Sequence, residues 1–480
     1  MEIKSDSQKS PPLVATENLE ADRSRKLLLI MFTPYDTVQL QITALSAYLK
    51  KYGYSVDYLE LYIFQGNESH KFDDVIKAKI EEYQPTLVGF STYDMNYNFN
   101  LEYARFIKQL DPNIKIIAGG QAVTMVPEDY MEQDCIDYAC IGEGEKLVTE
   151  LLDALETDSP VGHIEGLIWK NEAGEVVRNK DRFLQENLDE LPFIDRTTVE
   201  GQHERMKYLP MLAGRGCPYT CTYCSNEAQK NMAPNKNSFT RWRSPQNIIA
   251  EIKETMGTYD FEYVYFYDDV FCLKLDWLEE FVLLYKKNFP NIPFHCLLRP
   301  EMANDPRRIN LLAQGGCSMI HMGVESGSEP YRKKLLGRHM PNETILSATR
   351  LAQKNNIDVL AFMMVGMPGE TCLDMLKTII LNFQMKPLNI ITSIFYPLKG
   401  TPLYDYCIEN DLINWKKKKK MVVFTYDTCL KANFLKRIYI ILCKWTLSGL
   451  PALYNFRFSD LSHFFRIQFN LWYKKRVDFT

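Results

Sequence analysis

The chain contains no uninterrupted run of about 18 apolar residues, which argues against a classical membrane span. Its opening, MEIKSDSQKSPPLVATENLEADRSRK, is polar and charged and has no apolar core of a secretory signal. Twelve cysteines in 480 residues are too sparse for a small disulfide scaffold, so reduced thiols in a cytoplasmic setting are the expectation. A formal net charge of only -5 gives no whole-protein electrostatic grip on nucleic acid. Histidine is scarce, with seven in the chain and none in residues 1–69. What remains is ordinary globular composition, 46% hydrophobic and 24% charged, in a chain long enough for about three domains.

Residues 1–25 read as a flexible polar tail. From Lys26 an alternation of strands and helices begins. KLLLIMFTP, SVDYLEL, TLVGFST, IKIIAGG and IDYACIG are candidate strands, with helical spacing between them. Five strands with intervening helices over residues 26–156 imply an α/β domain with a doubly wound parallel sheet. Residues 157–205 read as a linker, with a small hairpin in HIEGLIWKNEAGEVVRN and the Pro-containing LDELPFID. A second series spans residues 206–405. Its candidate strands are YLPMLAGRG, FEYVYFYDD, FHCLLR, MIHMGVESG, VLAFMMVGMPGE and IITSIFYPL, separated by five helical stretches. Six such units predict a partial (β/α)6 barrel with its working groups at the strand C-termini. Residues 406–480 form a mainly helical last segment. From Asp411 onward it has 14 Lys/Arg against 4 Asp/Glu, a balance of +10 that leaves -15 for the rest of the chain.

The sharpest feature is GRGCPYTCTYCSN, where Cys217, Cys221 and Cys224 stand at C-x3-C-x2-C. Three thiolates on one short loop can hold three corners of an iron–sulfur cluster and leave the fourth iron open to substrate or cofactor. Zinc is the rival occupant, but structural zinc sites use four closed ligands. The segment resembles the radical S-adenosylmethionine (radical SAM) family, in which SAM chelates the open iron. Tyr223 supplies the aromatic residue before the last cysteine. Later elements recur in order: Asp268 and Asp269 in FYDDVF, Arg299 in FHCLLRP, Glu325 and Ser326 in GVESGS, then MVGMPGET and YPLKGTPLY. The resemblance implies a [4Fe-4S] cluster on the cysteine triad and SAM contacts from Tyr223, Asp268, Asp269, Arg299, Glu325 and Ser326. Either Arg243 or Arg299 suits the SAM carboxylate. The same residues also have plainer readings: Asp269 as a helix N-cap, Arg299 as a solvated strand end.

Ahead of the barrel, AGGQAVTMVPED and IGEGE place glycines after strands, where a phosphate or ring can approach the backbone. On the residues alone, an ordinary flavodoxin-like or response-regulator-like module fits as well. In its position before the barrel, the domain resembles the cobalamin-binding domain of the class B radical SAM group. That implies cobalamin contacts at Ser91, Thr92, Gly119, Gly120, Gln121 and Glu143. The D-x-H-x-x-G motif that supplies a cobalt-binding histidine is absent: the first-strand loop reads TPYDTVQLQ, and His70 in NESH has no such context. Cobalt ligation by histidine is therefore not expected, and a degenerate domain without cobalamin is the alternative.

The reaction implied is methyl transfer to an unactivated carbon through a 5′-deoxyadenosyl radical and methylcobalamin. The alternatives are oxidative cyclisation or rearrangement in the same architecture, and a non-catalytic corrinoid carrier or sensor. The intact cysteine triad argues against the last, since a carrier needs no open-iron cluster. Implied partners are a small-molecule or peptide substrate and a reductant such as flavodoxin or ferredoxin. His321, on an apolar strand, is a core residue or a proton-transfer group. The remaining cysteines lack ligand spacing and read as buried hydrophobes. The Lys416–Lys420 run and the aromatic stretch FSDLSHFFRIQFNLWYKK are either a cap on the barrel or a contact with an anionic membrane surface.

Overall fold

The structure, a computed structural model, describes residues 24–34, 38–63, 71–197, 207–421 and 427–454. His70, His203, most of the N-terminal tail and the aromatic stretch after residue 455 lie outside these residues.

The first domain is a seven-stranded sheet. Its strands are β1 (Lys26–Thr33), β2 (Ser55–Tyr62), β3 (Leu87–Ser91), β4 (Lys115–Gly119), β5 (Tyr138–Cys140), β6 (Leu167–Lys170) and β7 (Val176–Arg178). They lie in the order β2-β1-β3-β4-β5-β6-β7. β1 to β5 pair in parallel; the central strands are apolar runs covered on both faces, while β2 at the edge is half-buried. β6 and β7 join antiparallel to the edge of β5. The hairpin expected in a linker therefore belongs to the first sheet. Cys140 pairs with Leu167, and this interaction across the intervening helix Gly144–Thr157 is invisible to local spacing.

The second domain has β8 (Tyr208–Met211), β9 (Gly214–Arg215), β10 (Arg241–Trp242), β11 (Tyr263–Phe266), β12 (Phe294–Leu298), β13 (Cys317–Glu325), β14 (Asp358–Val365) and β15 (Asn389–Ile394). Six of these form a parallel sheet in the order β15-β14-β13-β12-β11-β8, a half-barrel in chain order. All six expected barrel strands are present. The first of them breaks after Met211, and Gly214–Arg215 pairs instead with Arg241–Trp242 as a two-stranded ribbon. Alternate residues such as Val264, Phe266, Cys296, Ile320 and Met363 pack beneath the helices in the barrel core. The other face carries Tyr208, Tyr263, Tyr265, His295 and His321, whose rings contact one another. The Tyr265 hydroxyl and His321 Nδ1 are 2.8 Å apart, and His321 Nε2 has no partner.

A helix at Phe434–Tyr454 lies against β15 and the helix Cys372–Met385. Ile440, Cys443, Leu447 and Leu450 are buried with the barrel core. The Tyr439 hydroxyl donates to the Cys372 carbonyl at 2.9 Å. The described part of the last segment is thus a cap on the outer face of the half-barrel. Two of the five lysines in the run are committed inside the protein, Lys417 to Asp427 at 2.8 Å and Lys418 to Asp94, while Lys416, Lys419 and Lys420 are exposed. Among the described residues no helix is long and apolar enough to cross a membrane.

Two outcomes follow from this packing. Truncation after Asn410 removes the buried stripe of the Phe434–Tyr454 helix, so the shortened chain should partition into the insoluble fraction on expression. The second concerns pH. Burial, joined at His321 by the neighbouring His295, holds both histidines down at about 4. In the unfolded chain they titrate near pH 6.5. The neutral forms stabilise the fold above that value, and the contribution is lost as pH falls from about 6.5 toward 4. In urea titrations across this window, His321→Gln should lose stability less steeply than the wild type.

Candidate functional site

One cavity of about 590 Å³ runs between the two domains. Its lining includes Ser91, Gly119, Gly120, Gln121 and Glu143 at the C-terminal ends of the first sheet. On the opposite side it is lined by Gly214, Arg215, Gly216, Asn226, Tyr267 and Asp269 of the barrel mouth. An apolar slot continues from it along Leu27, Leu29, Gly89 and Ile117 of the sheet, under Ile42, Leu45 and Val148. A Cβ on Gly89 would stand 3.0 Å from the Leu29 side chain, so glycine keeps the slot open.

The cysteine loop leaves the β9–β10 ribbon. Gly216 has φ +80, and a Cβ there would lie 2.2 Å from the Phe239 carbonyl oxygen. Only glycine allows the chain to turn so close to its neighbour. Cys217, Cys221 and Cys224 follow, and Cys224 is the extended N-cap of the helix Ser225–Met232. The Thr222 amide donates to the Leu336 carbonyl, and the Leu403 amide donates to the Thr222 carbonyl at 2.9 Å. These bonds seat the loop against the later strand ends.

The three thiols are free, and burial pushes Cys217 up to about 11 and Cys224 up to about 12. A zinc ion with Zn–S bonds of 2.3 Å needs sulfurs about 3.8 Å apart. Among the described residues no group of three or more His, Cys, Asp or Glu is placed to hold one metal ion. Three cysteines with no fourth ligand, on a glycine-shaped loop whose flanking Gly216, Ser225 and Asn226 line the cavity, fit a cluster with one uncoordinated corner better than a closed four-ligand zinc site.

Around the loop the expected residues sort themselves by orientation. The Arg299 guanidinium lies 3.8 Å over the Tyr219 ring, 3.6 Å from Cys221 Sγ, and is held by Glu301 at 2.7 Å. Arg243 is committed to Glu251, Asn247 and the Leu212 carbonyl within the barrel. Asp269 lines the cavity beside Asn226. It is not a helix N-cap, since the next helix begins at Leu275 with Lys274 before it. Asp268 turns inward and accepts from the Ala213 amide at 3.0 Å; burial raises its carboxyl to about 7. Glu325 has φ +73, an uncommon conformation for a non-glycine residue. Burial raises its carboxyl against the opposing pull of Arg338, 3.6 Å away. Arg338 also donates to the Tyr223 hydroxyl at 3.1 Å. Ser326 is fully buried beside Thr378 and accepts from the Ser328 amide.

At the first sheet, Gly120 has φ +102, and a Cβ would meet the Thr92 amide nitrogen and carbonyl oxygen at 3.0 Å. Thr92 is buried, bonds Gly119 and Val123, and braces this turn from behind the cavity wall. Glu143 faces the cavity, but both its oxygens are taken by Arg215 and Arg241. Burial alone would raise its carboxyl; the Arg215 and Arg241 charges hold it down at about 2. Tyr219, Asn226, Arg338, Arg215, Arg241 and Gly89 were not legible as site residues. Arg215, Tyr219 and Asn226 lie within the cysteine segment but not at its spaced positions, and the partners of Arg215, Tyr219, Arg241 and Arg338 lie far away in the chain.

Gly216, Ser225 and Asn226, which flank the thiol triad, line a cavity shared with the strand ends of a doubly wound sheet, an arrangement that suits an iron–sulfur cluster working with a second, large cofactor. Residues 211–381 match the family model of the radical SAM superfamily, and residues 28–152 match the B12 binding domain. An uncharacterized methyltransferase of Pyrococcus horikoshii is 28% identical over 73% of this chain and 76% of its own length. The anaerobic magnesium-protoporphyrin IX monomethyl ester cyclase of Rubrivivax gelatinosus is 22% identical over 69% of this chain and 59% of its own. Among solved structures, the radical SAM methyltransferase TsrM from Kitasatospora setae superposes with a TM-score of 0.65. It is 19% identical and covers 81% of this chain and 76% of its own. The cobalamin-dependent radical enzyme OxsB, solved with aqua-cobalamin and SAM, gives 0.67 at 16% identity, covering 89% of this chain and 66% of its own. At these identities the structural likeness is one of fold. The chain thus carries a radical SAM domain at residues 211–381 and a B12 binding domain at residues 28–152 ahead of it.

Gly216→Ala tests the loop geometry. The variant should fold, with wild-type circular dichroism, yet fall far below the about four irons per chain expected of anaerobically reconstituted wild type.

Proposed function

We propose that the enzyme transfers a methyl group from a corrinoid to an unactivated carbon of a small-molecule or peptide substrate. The observation that carries this reading is that one cavity is lined both by the Gly119–Gly120 turn and by Asn226 and Asp269 beside the cysteine loop. When bound, the cluster, SAM and cobalamin supply a carbon-centred radical and a methyl group to meet it.

In this reading Cys217, Cys221 and Cys224 hold the cluster. Asp269 and Asn226 face the cavity beside them and suit the amino group of SAM. Arg299, fixed over Tyr219, suits a carboxylate, while Glu325, Arg338 and Tyr223 form a hydrogen-bonded set at the end of β13. Gly119, Gly120, Ser91 and Gln121 present backbone and small groups to a corrin, and the slot past Gly89 takes its nucleotide tail. The sequence offers no histidine-ligand motif, and where the first-strand loop meets the cavity it presents Val38, Gln39, Leu40 and Gln41. Placement between two domains limits the solvent reaching the site, which protects a radical from side reactions. A reductant such as flavodoxin or ferredoxin, in a cytoplasmic setting, completes the cycle.

Oxidative cyclisation is the second reading, favoured by the cyclase relative. The neutral Tyr and His side chains of the barrel's inner face carry no fixed charge, which suits a flat, uncharged substrate. Mass spectrometry of the product made with methyl-deuterated SAM separates the two: methyl transfer puts label into the product, cyclisation does not. Cys217→Ala, Cys221→Ala and Cys224→Ala should each abolish 5′-deoxyadenosine formation. Full turnover by corrinoid-free protein would sink the methyl-transfer reading.

A further inference from the structure

Besides its bonds to the barrel, the cysteine loop is tied to the B12 domain through the ribbon from which it leaves. Arg215 stands two residues before Cys217, and its register partner across the ribbon is Arg241. Both guanidiniums converge on Glu143, which follows β5 in the first domain. Arg215 Nη1 donates to Glu143 Oε1 at 2.9 Å, and Nη2 donates to Glu145 at 2.6 Å. Arg241 grips the same carboxylate with both nitrogens, at 2.9 and 3.1 Å. The Gln185 amide donates to Glu143 Oε2 at 3.0 Å, and Arg241 donates to the Gln185 carbonyl at 2.7 Å. The Gly142 amide donates to the Thr124 hydroxyl at 3.1 Å, which fixes the base of the Glu143 loop. The carboxylate is therefore held from three directions on the cavity wall.

General docking of the two domains does not explain so dense a junction. Lys399–Asp129 and Lys418–Asp94 already join the first domain to later parts of the chain, away from the cysteines. A bidentate arginine–carboxylate pair fixes direction as well as distance, and lysine cannot reproduce that. Buried ion pairs contribute little net stability, and their best-attested use is to specify one geometry. Here the geometry specified is that of a loop carrying Cys217 relative to a wall carrying Gly119, Gly120 and Glu143.

We propose that Glu143, Arg215 and Arg241 form a positioning clamp that sets the separation and orientation of the cysteine loop relative to the corrin side of the cavity. The proposal rests on the functional reading above for what occupies the two sides. The clamp residues are positioning residues: none is required for iron or corrinoid to bind, and loss of the clamp loosens the relation between the two centres.

The test uses reconstituted holoenzyme with SAM and dithionite as the only added reactants. Wild type, Glu143→Gln, Arg215→Lys and Arg215→Met are compared, with Lys399→Met as a control for general domain docking. Glu143→Gln and Arg215→Met should keep wild-type iron and corrinoid content and still form 5′-deoxyadenosine. Their electron paramagnetic resonance spectra should show a weaker, broader dipolar interaction between the reduced cluster and cob(II)alamin. Amide exchange in residues 214–224 should rise roughly tenfold, the loss of one charge-assisted hydrogen bond, while residues 319–325 of β13 stay unchanged. Arg215→Lys should fall between, and Lys399→Met should match wild type. An unchanged dipolar interaction with unchanged exchange in Glu143→Gln and Arg215→Met would overturn the clamp. So would loss of iron and corrinoid together with raised exchange throughout the barrel, the mark of a merely structural pair. If the wild type binds no corrinoid, the functional reading fails, and the exchange pattern still decides the clamp.

Discussion

The carboxylate of Glu143 is where two separately folded sheets meet, and the placement of everything chemical in the molecule depends on that junction. Neither half makes a site alone. The first sheet ends in small residues, Gly119, Gly120 and Gly142, that leave backbone bare toward the cavity. The half-barrel ends in a loop whose glycines let it pass within contact distance of the Phe239 and Arg241 carbonyls. Such loops carry little stiffness of their own. Their stiffness comes from the arginine forks on one side and from the Leu336 and Leu403 backbone bonds on the other. Burial makes this economical in geometry, because a carboxylate out of water cannot exchange its partners for solvent.

The sequence was most informative where structure is local. Central parallel strands are apolar runs and the edge strand β2 alternates, so all five strands of the first sheet up to Cys140 and all six of the half-barrel could be located from pattern alone. The cysteine spacing is likewise a local property. What pattern could not reach were pairings across the chain. The β6–β7 hairpin has a local turn, but its attachment to β5 is set by tertiary packing. Arg241 and Glu143 are neighbours in space although many elements separate them in sequence. Motif membership also did not foretell orientation. Asp268 and Asp269 are adjacent, yet one closes a backbone turn and the other faces the cavity. Thr92 sits in a segment expected at the cofactor, and its hydroxyl is spent on the Val123 amide.

The C-terminal segment shows the same limit for charge. Its basic balance is real, but charge counted along a chain says nothing of where the partners are. Lys417, Lys418 and Arg437 find Asp427 and Asp94 within the protein, and Lys418 also lies over the Tyr396 ring. The apolar positions at Ile440, Cys443, Leu447 and Leu450 are the part of the pattern that decided the packing, since they supply the helix layer that β15 needs.

The long span of the Glu143 junction also dictates an order of assembly. Protein synthesis runs from the N-terminus, and domains tend to fold as units as they emerge. The first sheet is complete once its β7 edge has formed, well before the barrel exists. The three cysteines appear next, but Arg241, their ribbon partner, and the Leu403 amide that seats Thr222 are made later. During that interval the thiols stand on a loop with no fixed shape, open to oxidation or to the wrong metal. The loop therefore takes its described shape only once the last barrel strand and the Leu403 amide beyond it have been made, so the seat of the cysteines is completed late in the chain.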